Sequence, residues 1–163
     1  VKLQLPSAVQ LLLRYGASEL TQIAVPDSER PIAPELLQAA AEGAALDDWP
    51  EDEVAIATIA LARIADAVTR ARSELAFYLR FRAEADGVPA WVTDDLAEMA
   101  RYHLFDDTGK EESTVRTRYK DVILRLETLA REDEARGAAE GGRADLRITH
   151  NPRLMSRRSL GQL

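Results

Sequence analysis

The two histidines, His103 and His150, are the side chains best suited to proton transfer or metal ligation near neutral pH. They stand in different segments, and no His or Cys cluster has the spacing of a metal site. The sequence has no cysteine, which excludes disulfides, cysteine-ligated zinc and thiol nucleophiles. Carboxylates abound, so pairs such as Asp94/Asp95 and Asp106/Asp107 are expected to cap helices and face solvent rather than act as acid and base. There is no Gly-x-Ser-x-Gly, P-loop or Gly-x-Gly-x-x-Gly. A nucleophilic serine needs a base and an orienting group, and no credible set is present. The expectation is a protein that is not an enzyme, with no catalytic, cofactor-binding or metal residues. His103 is expected on a helix at the edge of the core, and His150 in solvent or at an interface.

Chemistry of another kind sits at the C-terminal end. Arg143, Arg147, Arg153, Arg157 and Arg158 are interspersed with Leu146, Ile148, Leu154, Met155 and Leu160. This stretch carries too little apolar surface to offset its own ordering entropy, so alone it reads as disordered. With a partner it reads as an arm that docks by strand addition or in a groove, its arginines pairing with carboxylates. The candidate contact residues are Arg147, Ile148, Arg153, Leu154, Met155, Arg157, Arg158 and Leu160.

Charge supports that division. Residues 1–136 hold sixteen basic and twenty-six acidic side chains, and residues 137–163 hold five and two. The acidic part is built to repel nucleic acid and the basic part to seek an acidic surface. The net charge of −7 leaves no global footprint for DNA or RNA. Arg116, Arg118 and Lys120 cluster on one helix, but Glu111, Glu112 and Asp121 flank them, which predicts a solvated, salt-bridged face. Tyr15-Gly16 and the 101–105 run Arg-Tyr-His-Leu-Phe read as packing between helices.

The elements that position these residues are helical. Alanine is frequent and β-branched residues comparatively few. Ser7 is suited to cap a first helix, and Gly16 interrupts it before a second turn. Three prolines between 26 and 34 form a loop, and Pro34 fits the first position of a short helix closed at Gly43. Val54, Ile56, Ile59, Leu61, Ile64, Val68, Leu75, Tyr78, Leu79 and Phe81 make a stripe for a central helix over 51–85. Thr93 is the expected N-cap of the next helix, and a last one runs from Ser113 to about Ala135. Gly137 to Gly142 reads as a flexible hinge. The sequence thus predicts an all-α fold: a small bundle of about four to five helices over 1–136, then a hinge and extended arm over 137–163. With 163 residues, 46% of them hydrophobic, one domain with a real core is expected. The apolar run 11–13 is too short for a signal peptide, no stretch has transmembrane length, and the absence of cysteine suits a reducing cytosol.

Four pieces of the sequence share an order and spacing with a known family. They are Leu-Leu-Leu-Arg-Tyr-Gly-Ala-Ser-Glu-Leu at 11–20, Ala-Arg-Ser-Glu-Leu-Ala-Phe-Tyr-Leu at 71–79, Val88-Pro89 followed by Leu-Ala-Glu-Met-Ala-Arg-Tyr-His-Leu at 96–104, and Val-Arg-Thr-Arg-Tyr-Lys-Asp-Val-Ile-Leu-Arg-Leu-Glu at 115–127. Together with the ending at 152–160, they resemble the Mu-like phage and prophage structural family of the head–tail junction. The stretch 26–50 and the Asp86-Gly87 turn depart from that pattern. The resemblance implies a head-completion or adaptor protein: a helical bundle forming a ring, usually of twelve copies, between the portal and a tail-side stopper in the virion neck. It implies a host-cytoplasmic state before assembly, packaged DNA passing through the lumen without sequence recognition, no membrane and no cofactor. An acidic lumen would not grip passing phosphates. The alternative is a helical DNA-binding regulator, since a Tyr-Gly turn can mimic a helix-turn-helix. The charge and the absence of a basic recognition helix argue against it. A small helical enzyme using carboxylates is the third reading and has the least support.

Overall fold

The computed structural model describes residues 3–105 and 113–141. The described residues form six α-helices: α1 (Ala8–Tyr15), α2 (Ala17–Ala24), α3 (Pro34–Glu42), α4 (Glu51–Tyr78), α5 (Ala90–Leu104) and α6 (Thr114–Gly141). No strand occurs among the described residues. The all-α bundle expected from the sequence is what forms, with one helix more because a single residue separates α1 from α2.

That residue is Gly16, at φ 90° and ψ 142°, a conformation open to glycine and costly for residues with a Cβ. Its N–H donates to Leu12 at 2.9 Å and its carbonyl accepts from Leu20 at 3.2 Å, so one residue ends α1 and starts α2. Ser7 caps α1 in a reciprocal box with Gln10. Pro34 opens α3, and Gly43, in the left-handed region, closes it.

The long helix α4 is the centre of the bundle. Its Ala57, Ala60, Ala67 and Ala71 are buried together with Ile64 and Leu75, and α5 packs against this helix more extensively than any other. Helix α6 packs on both α4 and α5, while α1, α2 and α3 pack on one another and on α4. The core runs continuously through Leu11, Leu20, Leu36, Ile64, Leu96 and Leu126.

Three boundaries differ from those the sequence suggests. Helix α4 stops at Tyr78 instead of reaching residue 85, because Arg82 turns back to the carbonyl of Gly87 and to Asp133 of α6. Helix α5 starts at Ala90 after Pro89, so Thr93 lies inside it and is not its cap. Burial of Val92 draws this first turn into the core. Helix α6 continues through Gly137 to Gly141, where a hinge was expected from 137 onward. The flanking Ala138, Ala139 and Glu140 are good helix formers, and propagating an existing helix outweighs the ~1 kcal/mol propensity cost of one glycine.

Candidate functional site

The arm residues Arg147, Ile148, Arg153, Leu154, Met155, Arg157, Arg158 and Leu160 lie outside the described residues, as do His150 and Asp106/Asp107. The functional groups that can be placed fall into polar junctions between helices and apolar patches on the surface.

The richest junction joins α4, α5 and α6. Nε2 of His103 lies 3.0 Å from one carboxylate oxygen of Glu74. The other oxygen accepts from the hydroxyl of Tyr119. The Tyr119 ring stacks on Tyr102, with centroids 3.9 Å apart and planes 11° from parallel. Burial, then the hydrogen bond to Glu74, pushes the Tyr119 phenol above its ordinary range of ionisation. Carboxylate, imidazole and phenol here satisfy one another, so the chemistry of the cluster is to fasten three helices. His103 therefore sits half-buried on a helix at the core edge.

A second junction fastens α1 and α2 to α5. Arg14 pairs with Asp94 at 2.5 Å and with Glu98 at 3.5 Å. Arg101 pairs with Glu19 at 2.5 Å and lies over the Tyr15 ring, 4.8 Å from its centroid. Burial alone would lower the Arg14 pKa, but its hydrogen bond to Asp94 and the surrounding carboxylates raise it. The Tyr15 hydroxyl is buried without a well-aligned hydrogen-bond partner among the described residues. Burial and then the charge of Glu98 push its ionisation above the usual tyrosine range. Arg118 of α6 reaches the same Glu98 at 3.9 Å, so one member of the 116–120 basic cluster is tied to a neighbouring helix.

Asp95 departs from the capping role expected for the Asp94/Asp95 pair. It is buried and held by Arg125 of α6. Both carboxylates were expected in solvent, but adjacent residues on a helix point about 100° apart, and Asp95 falls on the side that faces α6 while Asp94 stays exposed.

Two surface features carry apolar side chains that the bundle does not use. At the end of α4, Phe77 is 60% and Phe81 is 40% exposed. The Arg80 guanidinium lies over both rings, 3.9 and 4.4 Å from their centroids. On the opposite flank of α6, Trp91 and Leu124 border a shallow groove of about 360 Å³ with Thr128 and Leu129. Phe81 was expected in the core stripe, and no surface role was expected for Phe77, Trp91 or Leu124. The signal was the phase of Phe77, about 200° around the helix from Leu75.

Among the described residues no three His, Asp or Glu side chains converge to hold a metal ion. No helix among them is long and apolar enough to cross a membrane.

A family model described as Bacteriophage Mu, Gp36 matches residues 7–145. No curated protein and no solved structure matches the chain. The matched range contains the pieces 11–20, 71–79, 96–104 and 115–127. Arg14, Tyr15, Glu19, Glu74, Tyr102, His103 and Tyr119 all come from those pieces, and all of them act in the two junctions.

Proposed function

We propose, from the premise that the chain belongs to the bacteriophage Mu Gp36 family, that it is a structural head–tail connector of a tailed phage. In this reading it is not an enzyme. It forms a ring, twelve copies in the finished particle, between the portal and a tail-side stopper in the virion neck, with packaged DNA passing through the lumen. Before assembly it resides in the host cytoplasm, and it needs no cofactor.

One observation carries the reading. Glu74, His103 and Tyr119, the chemically richest cluster, are spent on one another, while large apolar side chains stay exposed at Phe77, Phe81, Trp91 and Leu124. Such a distribution suits a part that works by being packed against other parts. The acidity of residues 1–136 supports a wall that does not retain DNA. The arginine-bearing end, with Arg147, Arg153, Arg157 and Arg158, is in this reading the arm that engages a neighbouring copy or the portal.

The test is an image of the protein bound to portal, with its copy number, together with deletion of 143–163. The expected results are a ring on the portal and a truncated chain that keeps its helical circular dichroism but enters particles poorly. Unchanged incorporation of the truncated chain would remove the arm from the proposal. Salt-sensitive binding to duplex DNA by a monomer or dimer in a gel shift would overturn the connector reading in favour of a DNA-binding regulator.

A further inference from the structure

Four of the large apolar side chains left exposed form two patches that face different directions. The first is a ridge at the end of α4, Phe77 and Phe81 with Arg80 lying over both rings. The second is the groove between α5 and α6, where Trp91 is 38% and Leu124 is 63% exposed. Helix α6 separates them. One of its flanks gives the Tyr119 hydroxyl to Glu74 of α4. Its other flank carries Leu124 and Thr128 beside Trp91 of α5. Phe77 in turn points outward from α4, since it is about 200° around the helix from fully buried Leu75.

We propose that these patches are the two halves of one contact between copies of this chain, the Phe77–Arg80–Phe81 ridge of one copy seating in the Trp91–Leu124 groove of the next. The inference rests on the ring reading above and names the surfaces that reading leaves open. Charge selects this occupant. Arg80 donates to the Phe77 carbonyl at 2.6 Å but has no carboxylate partner among the described residues. The groove is bordered by Glu132, which is exposed and has no cationic partner among the described residues. Arg125, also at the groove, is already held by Asp95. Ridge in groove brings Arg80 toward Glu132. Ridge on ridge brings Arg80 toward Arg80, and groove on groove brings Glu132 toward Glu132, so like charges oppose two-fold pairing. A contact between two different patches leaves each copy one unused patch, and it therefore propagates into a ring or filament instead of stopping at a dimer.

The experiment is sedimentation of the full chain between about 10 µM and about 1 mM, the range in which weak contacts populate. It compares wild type, Phe77→Glu, Trp91→Glu and an equimolar mixture of the two variants. Circular dichroism verifies the fold of each, and Leu124→Glu serves as a second groove variant should Trp91→Glu lose helicity. Wild type is expected to grow beyond a dimer and each variant to stay monomeric. The mixture should form a one-to-one dimer and stop, because Phe77→Glu keeps its groove and Trp91→Glu keeps its ridge. Combining Arg80→Glu with Glu132→Arg in one chain should restore association that either charge reversal alone weakens at least tenfold. Variants that associate like wild type would overturn the assignment of surfaces while leaving the ring reading standing. A monomeric mixture beside an associating wild type would also overturn it. Wild type that stays monomeric at about 1 mM overturns the contact itself, and the portal image then decides the ring reading independently.

Discussion

Arg82 and Asp133, 51 residues apart in sequence, meet where neither side chain is more than 9% exposed, the guanidinium donating to both carboxylate oxygens at 3.2 and 3.0 Å. Arg82 also donates to the carbonyl of Gly87, and Arg136 reaches Asp86 at 3.2 Å and Asp133 at 3.6 Å. The turn between α4 and α5 is thereby fastened to the C-terminal half of α6. Asp133→Ala removes one charge and leaves the other buried and unpaired, which costs about 3–5 kcal/mol. Thermal and urea unfolding should show that loss. Replacing both partners, with Arg82→Met and Asp133→Leu, should cost much less. A single variant as stable as wild type would mean that the pair is not buried in solution.

Glu74 is the shared acceptor of His103 and Tyr119, so its removal should be felt on three helices. Glu74→Ala leaves the Tyr119 hydroxyl half-buried without its acceptor and is expected to cost about 2 kcal/mol. Tyr119→Phe, which removes the donor, should cost about 1 kcal/mol. A double-mutant cycle measures the coupling, and strictly additive losses would show that the two groups do not act together.

Tyr15 and Tyr119 ionise above the ordinary tyrosine range when folded, chiefly because burial disfavours the phenolate. An unfolded tyrosine loses its proton near pH 10. Above that pH the unfolded chain binds fewer protons than the folded one, so stability should fall as pH rises from about 10 toward the folded values. Unfolding by urea across alkaline pH, alongside tyrosinate absorbance, checks this. Tyr15→Phe and Tyr119→Phe should each flatten the decline, and an unchanged slope in both variants would contradict the assignment.

The parts of this fold that were legible in the sequence are those set by local chemistry. Ser7, Gly16, Pro34 and Gly43 mark helix ends through caps and dihedral preferences that act within a few residues. The boundaries that differed are set at a distance. Nothing near residue 78 announces that α4 ends there, because the cause is Arg82 finding Asp133 on another helix. Asp95 is likewise indistinguishable in type from Asp94, yet one is buried against Arg125 and the other is exposed beside Arg14. The surface patches were hidden for a related reason. Ile59 and Phe81 fit a broad apolar stripe, but they are 42% and 40% exposed, since hydrophobic periodicity reports composition and phase and not which face finds a neighbour. The predicted arm lies outside the described residues, and at the expected hinge helix α6 continues to Gly141.

Gly137 provides the sharpest test of that last difference. In a flexible hinge, glycine at this position contributes freedom and alanine would bring no added order. Inside α6, where a Cβ would meet nothing within 4 Å, Gly137→Ala should instead raise helicity and stabilise the protein by up to about 1 kcal/mol. Gly16→Ala is the matching control. Its Cβ would also meet nothing within 4 Å, but φ is 90° there, so the same substitution should destabilise by about 1–3 kcal/mol through backbone strain alone. Circular dichroism and thermal melts of the two variants should therefore move in opposite directions. If Gly137→Ala leaves helicity and melting temperature unchanged, the helix ends before residue 137 and the arm begins where the sequence placed its hinge.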